Sequence, residues 1–371
     1  MNHTINRWQL VLIVISFIMG SSLLMAPNLT AFFSAQDAWL SMILAVVIGL
    51  LLNIIWILIL KRYGFRSIFR LTEVAGGKIV GTLLNIIIIF YALHLASYVV
   101  RNLSNFMISN VIPESSPWTF QFMILLLAIY SCFYGLNNIG RVNEFLTPFM
   151  ILFFIGSLAI TLNQFRFSHI QPVFEQGLLK ISQGAYTTTG FPFIEIILMG
   201  SMLTYVKNKE KLAKNYLSGF LIGGIALIIT VFAAVGVEGA YMVKRQSYPT
   251  YELMRDISVI NIFERVEVII GVVWIFGILV KIIVCLFTAL KGLQHISKFS
   301  SYHPFLLPAG LLIWAMSNHL HPNSMEFTDF VGQNWTLWWF TLYLILLLVL
   351  GIGILRKKDI KKEQKRENQT E

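Results

Sequence analysis

Charged residues and cysteines are both scarce in this sequence of 371 residues. Only 12% of the residues are charged and 57% are hydrophobic, whereas soluble globular domains carry about 25% charged residues. No single soluble core could bury so much apolar surface, which excludes an ordinary soluble fold. The two cysteines, Cys132 and Cys285, lie inside apolar runs. That position is typical of small buried residues rather than of a disulfide or a metal site.

Motifs for catalysis and metal binding are also missing. The sequence contains no nucleophile elbow, phosphate-binding loop, HExxH motif or cysteine ligand cluster, which are the usual marks of hydrolases, nucleotide enzymes and zinc proteins. We therefore expect no enzymatic activity, no cofactor and no metal. The formal net charge of +10 resides in short loops and in the C-terminal tail. This distribution favours contact with anionic lipid head groups and argues against nucleic acid.

Apolar runs of about 20 residues dominate the sequence, and this is the length with which an α-helix crosses a bilayer. The strands of a membrane barrel would be about half as long and would alternate in polarity. We predict an all-α polytopic membrane protein with ten transmembrane helices. The predicted helices are Trp8–Ala26, Trp39–Leu60, Val80–Arg101, Trp118–Leu136, Phe145–Asn163, Gly184–Tyr205, Tyr216–Val237, Val266–Leu290, His303–Asn318 and Trp335–Leu355.

Lysine and arginine are distributed unevenly between the predicted loops. Most of the 28 basic residues fall on the side that holds both termini, including those of Lys207–Lys214 and those of the tail. The positive-inside rule then predicts that both termini are cytoplasmic. We predict a single permease-like transmembrane domain over residues 1–355, followed by a basic, disordered tail over residues 356–371.

Two of the predicted helices are interrupted near the middle of the membrane. Pro27 is expected to end the first helix. The interrupting residues are Gly20, Ser21 and Ser22 in helix one, and the run from Thr187 to Pro192 in helix six. Close helix packing explains many such glycines, but helices one and six are the first members of two sets of five. A five-plus-five inverted repeat predicts breaks at these two places, with repeats at about 8–163 and 184–355.

Breaks of this kind supply binding groups that a continuous helix lacks. Half-helix N-termini offer free N–H groups to an anion, and unwound carbonyls accept hydrogen bonds from a cation. A zwitterionic amino acid needs both. The candidate ligand-binding residues at the breaks are Gly20, Ser21, Ser22, Thr189, Gly190 and Phe191. Four aromatic residues at helical spacing are further candidates, although simple packing is the alternative for each. They are Tyr91, His94 and Tyr98 in helix three and Trp274 in helix eight.

Two charged residues lie inside predicted membrane helices. Glu195 follows the break in helix six, and Lys281 lies near the centre of helix eight. A charge at this depth costs roughly 2.5–3.5 kcal/mol, so each needs a partner or a wet cavity. Two explanations stay open: an ion pair between helices six and eight, or a proton- or substrate-coupling group.

Several motifs together resemble one known family. Residues Tyr248–Ile257 have the pattern YPT-x-EL-x-R-x-I, and Phe263–Glu267 resembles LER-x-E. Trp274–Gly277 with Lys281, and Gln36–Trp39, fit as well. These motifs resemble those of the B subunits of bacterial spore germinant receptors, which form the spore germination permease family within the amino acid/polyamine/organocation permease superfamily.

The resemblance implies a fold of the leucine-transporter type and a place in the inner membrane of the endospore. It also implies a complex with a receptor A subunit and a lipoprotein C subunit, in which the B subunit senses a nutrient germinant. The motif region between helices seven and eight is then expected to act as a lid or a partner-docking element. Its candidate residues are Tyr248, Pro249, Glu252, Arg255 and Arg265. The ligand does not follow from the motifs, although an amino acid suits the breaks.

Two functions therefore remain in competition. The first is a receptor subunit whose small-molecule ligand shifts the helix bundle between two states and so signals to its partners. The alternative is a proton-coupled secondary transporter of amino acids, in which Glu195 or Lys281 carries the coupled proton. Both functions need the same pocket.

Overall fold

The computed structural model describes residues 4–256, 267–321 and 323–356, and these residues are almost entirely helical. Within them, the one β-type contact is an isolated parallel bridge between Ile5 and Val206. The first seven α-helices are α1 Arg7–Met19, α2 Ser22–Ser34, α3 Ala38–Arg62, α4 Ile68–Phe106, α5 Pro117–Tyr134, α6 Leu136–Thr161 and α7 Gly177–Thr188. The others are α8 Leu212–Glu238, α9 Ala240–Val243, α10 Pro249–Asp256, α11 Glu267–Ser297, α12 Leu306–His319, α13 Ser324–Gln333 and α14 Trp335–Leu355.

The membrane crossings follow the prediction closely. Seven helical runs of the described chain are long and apolar enough to cross a membrane. The three remaining predicted crossings correspond to α1 with α2, to α7 and the turns that follow it, and to the short α12. Large apolar side chains such as Leu126, Leu152 and Leu348 are exposed on the outside of the bundle, as lipid contact requires. The chain is a multi-pass membrane protein.

The prediction that Pro27 ends the first helix is wrong, because α2 continues through this residue to Ser34. A proline inside a helix leaves the carbonyl four residues earlier without its usual partner. Here that carbonyl belongs to Leu23, and the hydroxyl of Thr250 donates a hydrogen bond to it at 2.8 Å. A contact from a distant part of the chain therefore keeps the helix intact.

The fifth crossing also begins earlier than predicted, at Leu136 rather than at Phe145. The polar residues at its start are bound to α1 instead of forming a loop. Gln9 donates a hydrogen bond to Glu144 at 3.0 Å, and Ser16 donates one to Asn143 at 3.0 Å. These bonds compensate for the low apolarity of the first turns of α6.

Helix α11 lies at the centre of the bundle and packs against α1, α4, α5 and α6. Its position explains why a residue in its middle, such as Lys281, is fully buried. Helices α3 and α8 pack together on another side of α1 and α2. The two interrupted segments are thus enclosed by α3, α8 and α11, and their breaks lie in the interior of the bundle.

Candidate functional site

The break in helix one separates α1 from α2 at Gly20. The N–H of Gly20 still donates to the Ser16 carbonyl at 2.9 Å, but its φ of −35° and ψ of −101° turn the chain out of the helix. A Cβ at this position would lie 2.8 Å from the carbonyl oxygen of Gly277. Helix α11 therefore packs directly against the break, and the glycine makes this approach sterically possible.

The break in helix six begins where α7 ends. Residues Thr189–Ile194 form wider turns than an α-helix, and Phe191 has a non-helical φ of −121° and ψ of 104°. The Thr189 hydroxyl donates to the Ala185 carbonyl at 2.7 Å, which caps the end of α7. A Cβ at Gly190 would collide with Thr336 of α14. Close helix packing thus accounts for the two glycines, and a part for them in ligand binding stays a prediction.

The two intramembrane charges meet between the breaks. The ammonium of Lys281 lies 2.5 Å from a carboxylate oxygen of Glu195, and both side chains are fully buried. Lys281 also donates a hydrogen bond to the hydroxyl of Ser21 at 2.9 Å. The second carboxylate oxygen of Glu195 accepts a hydrogen bond from the indole N–H of Trp335 at 2.6 Å. The ion pair therefore ties helix one, helix six, α11 and α14 together at one point.

The rings of Phe17 and Phe191 lie on either side of this ammonium. Its nitrogen is 5.1 Å from the centroid of Phe17 and 4.9 Å from that of Phe191. These distances are in the range of cation–π attraction. The charge of Lys281 is thus balanced by Glu195, Ser21 and two aromatic faces, all of them protein groups.

A small cavity lies next to the ion pair. Its volume is about 20 Å³, which is room for roughly one water molecule. The lining residues are Ser21 and Met25 of helix one, Leu95, Tyr98, Val99 and Asn102 of α4, Phe191 of helix six, Phe327 and Val331 of α13, and Trp335 of α14. Ser21 and Trp335 thus both line the cavity and hold the ion pair.

The aromatic stripe of α4 runs along α13 and α14, and within it Tyr98 alone lines this cavity. Tyr91 donates a hydrogen bond to the Trp338 carbonyl at 2.9 Å. His94 stacks on Trp335, with 5.6 Å between ring centroids. The hydroxyl of Tyr98 contacts the Nε2 atom of His321. The stripe therefore serves mainly to hold the α12–α14 segment against α4.

Two other predicted ligand-binding residues do not line the cavity. Ser22 is fully buried, and its hydroxyl has no hydrogen-bond partner among the described residues. Trp274 packs against Phe106 at 4.6 Å and against Tyr248 at 6.1 Å between ring centroids. Trp274 thus belongs to the contact between α11 and the motif region.

The motif region reaches the cavity indirectly. Pro249 begins α10, and Glu252 and Arg255 form an ion pair on that helix. Tyr248 is buried and donates a hydrogen bond to the side chain of Asn102, a cavity residue, at 3.0 Å. Arg265 lies outside the described residues, and its role stays a prediction. Three residues of the cavity wall come after α11 in the chain. They are Phe327 and Val331 of α13 and Trp335 of α14.

Sequence reasoning missed several residues of the cavity wall. Asn102 follows Tyr98 by four residues, so the helical spacing that revealed the aromatic stripe could have included it. Phe327 and Val331 carried no such signal, because α13 lies in a segment that was expected to be a loop. Trp335 was assigned to the last helix, but nothing in the sequence pointed to its contact with Glu195.

Comparison with known proteins now agrees with this architecture. A sequence model of the family described as spore germination protein matches residues 4–325. The chain belongs to the spore germination protein family. Spore germination protein A2 of Bacillus subtilis (strain 168) is 26% identical over 363 residues, which cover 95% of this chain and 96% of that protein. Spore germination protein YndE of the same organism is 24% identical over 293 residues, covering 78% and 80%.

The fold is shared with a solved transporter structure. The crystal structure of MhsT in complex with L-phenylalanine superimposes with a TM-score of 0.69 at 13% identity, covering 96% of this chain and 99% of that chain. The predicted family and the fold of the leucine-transporter type, with its two interrupted helices, are thereby confirmed. Membership of this family agrees with the expectation of a permease-like protein rather than an enzyme.

Proposed function

We propose that this chain is the germinant-sensing subunit of a spore germinant receptor. It binds a small molecule, an amino acid, in the cavity between the two helix breaks, and it passes the resulting change to partner subunits. In this proposal the protein resides in the inner membrane of the endospore with both termini in the cytoplasm. Its partners are the receptor A subunit and the lipoprotein C subunit. Family membership and the distribution of basic residues support this assignment.

The observation that carries the proposal is the sharing of two residues between the cavity and the ion pair. Ser21 and Trp335 line the cavity, and they are also the hydrogen-bond partners of Lys281 and Glu195. A ligand that displaces either side chain must therefore change the contacts of a buried ion pair. Removing one partner from such a pair costs about 3–5 kcal/mol, so even partial loosening is a sizeable signal.

The size of the cavity implies two states. At about 20 Å³ it has no room for an amino acid, so in this proposal the protein binds its ligand in a wider conformation. A ligand binds only after Phe191, Trp335 or the side chains of α13 have moved, and it then stabilises the wider conformation. A ligand shifts such an equilibrium by its difference in affinity for the two states. Sensing requires this shift alone, and movement of the ligand across the membrane is not needed.

A backbone contact between the start of helix one and the end of helix six is a candidate route for the signal out of the membrane. Ile5, just before α1, forms a parallel bridge with Val206, just after helix six. The Ile5 N–H donates to the Tyr205 carbonyl at 3.1 Å, and the Lys207 N–H donates to the Ile5 carbonyl at 3.1 Å. The start of helix one is thus joined to the end of helix six, so a movement at either break reaches both.

A proton-coupled amino-acid transporter is the second candidate. The likeness of the fold to MhsT favours it, as does a buried pair of ionisable groups beside the cavity. Uptake of radiolabelled amino acids into proteoliposomes with an imposed proton gradient distinguishes the two functions. Accumulation that depends on the gradient and on Glu195 supports transport.

The sensing function is tested by a germinant screen on spores. Spores that lack this subunit should fail to respond to at least one amino acid that triggers wild-type spores, and re-expression of the chain should restore the response. Response of the deletion strain to every compound at wild-type concentrations, with no other receptor of this type present, would contradict the proposal.

A further inference from the structure

One polar side chain in the cavity wall has hydrogen-bonding capacity that the protein uses poorly. Asn102 is only 3% exposed, and it lines the cavity. Its amide nitrogen donates to the thioether sulfur of Met25 at 3.1 Å. A thioether is a weak acceptor, and a buried amide donor without a good acceptor is costly. The N–H₂ group of Asn102 is therefore the strongest underused donor of the lining set.

The other end of the same amide is firmly held. The hydroxyl of Tyr248 lies 3.0 Å from the side-chain oxygen of Asn102 and 3.3 Å from its backbone oxygen. Tyr248 is itself buried and packs edge-on against Phe106. Rotating the Asn102 amide by 180° would place its oxygen against the Met25 sulfur with no proton between them. The observed orientation, with the N–H₂ group toward Met25, is therefore favoured by both contacts.

The groups around the Asn102 amide nitrogen favour an acceptor oxygen as its partner in a ligand. Met25 is the fourth residue of α2, so the amide nitrogen lies beside the first turn of that helix. The N–H groups of a first turn have no partner inside their own helix, and the helix dipole adds positive potential there. No described lining residue of the cavity is charged. An anionic oxygen in this corner would thus meet donors and a positive dipole end without a repelling carboxylate in the wall.

We propose that Asn102 determines ligand specificity by donating a hydrogen bond to a carboxylate or carbonyl oxygen of the ligand, and that Tyr248 is the positioning residue which fixes its amide for this purpose. The inference rests on the proposed function and deepens it. It assigns the motif region a task in recognition, because Tyr248 belongs to that region while Asn102 belongs to the wall of the cavity.

The test uses spores with the complete receptor, and it measures the concentration of germinant that gives half the maximal germination rate. The probes are the proteinogenic L-amino acids, each compared with the amine that lacks its carboxylate. Asn102→Leu keeps the size of the side chain and removes the donor. It should raise the half-maximal concentration of the active amino acids at least tenfold, as expected for loss of a hydrogen bond to a charged group. Responses to the carboxylate-free amines should stay within about twofold.

Asn102→Asp should weaken the response further, because it presents a carboxylate to the ligand's own carboxylate. Asn102→Ala should raise the half-maximal concentration in the same way as Asn102→Leu, and it adds no bulk. If one of the two variants accumulates poorly, the other still gives the result. Immunodetection in the spore membrane checks the level of each protein. Normal levels together with wild-type concentration dependence for the amino acids would overturn the assignment of Asn102.

The role of Tyr248 is tested with a double-mutant cycle. Tyr248→Phe removes the hydroxyl that orients the amide and should raise the half-maximal concentration several-fold in the wild-type background. In the Asn102→Leu background it should have no further effect, because no amide is left to orient. Tyr251→Phe is the matched control, since Tyr251 lies three residues further along the same motif region and packs against the same Phe106. Equal effects of Tyr248→Phe in both backgrounds would assign Tyr248 a structural role and refute the positioning.

The response of the wild-type receptor to amino acids distinguishes a failure of this inference from a failure of the proposed function. A wild-type receptor that responds to no amino acid would contradict the proposed function and, with it, a carboxylate ligand. A wild-type receptor that responds to amino acids regardless of the residue at position 102 would leave the sensing function in place and refute the inference.

Discussion

Replacing Lys281 with methionine removes one member of the buried ion pair while keeping a side chain of similar length. Glu195 then remains fully buried, with the Trp335 indole as its one hydrogen-bond donor among the described residues. Loss of one partner from a buried pair costs about 3–5 kcal/mol. Since a native domain is stable by about 5–15 kcal/mol, we expect the variant to lose a large part of its stability and to accumulate poorly in membranes.

The double variant Lys281→Met with Glu195→Gln removes both charges and should recover most of that loss. A glutamine at position 195 can still accept the hydrogen bond of Trp335, and no uncompensated charge remains. We expect its free energy of unfolding to lie within about 1 kcal/mol of the wild type, because neutral replacements of buried pairs are often tolerated. The response to germinant should nevertheless be altered, since the contacts that couple Ser21 and Trp335 are gone.

The assay is equilibrium unfolding of purified protein in mixed micelles containing dodecyl sulfate, with immunodetection in membranes as a second readout. Lys291→Met is the matched control on the same helix. Its ammonium lies 3.2 Å from Gln294 and 4.6 Å above the ring of Tyr302, so its loss should cost about 1 kcal/mol. A single Lys281→Met variant as stable as this control, or a double variant as unstable as the sum of both single changes, would refute the reasoning.

Three further expectations follow from the fold. Thr250→Val should destabilise the protein by about 1–3 kcal/mol in thermal unfolding, because the buried Leu23 carbonyl loses its donor. Pro27→Ala should cancel this loss, because it restores a backbone N–H for the same carbonyl. Additive losses in the double variant would contradict this explanation. Gly190→Leu should remove the protein from the membrane through a steric clash, and immunodetection at the wild-type level would refute this expectation. A single cysteine within Lys207–Lys214 should react with an impermeant reagent only from the cytoplasmic side, and one within Met325–Asp329 only from the other side, so reversed labelling would invert the proposed orientation.

Much of the fold could be predicted because the physics that fixes it is local. Apolar length alone placed the last helix at its observed bounds, Trp335–Leu355. The cost of a buried charge indicated that Glu195 and Lys281 each needed a partner or water, and the two lie 2.5 Å apart. The breaks were visible because glycine, serine and proline interrupt otherwise apolar runs.

What could not be predicted depends on contacts between distant residues. The helix continues through Pro27 because Thr250, more than 200 residues away in sequence, supplies the missing donor. Phe327 and Val331 line the cavity because α13 folds back over it, and a short amphipathic helix in a loop gives no signal of that position. Likewise, the glycines at both breaks were candidate ligand-binding residues, yet each lies against a neighbouring helix.

The most direct measurement for the central claim is protection of a cysteine placed in the cavity wall. Val99 lines the cavity and is 2% exposed, and the native Cys132 and Cys285 are both fully buried, which keeps the background reaction low. In the receptor that carries Val99→Cys, we expect the new cysteine to react slowly with a small thiol reagent. A saturating concentration of an amino acid that triggers germination should slow this reaction strongly. The same amino acid should leave a lipid-facing Leu126→Cys control unaffected. An unchanged reaction rate at Val99→Cys in the presence of that germinant would contradict the claim that the ligand binds between the two helix breaks.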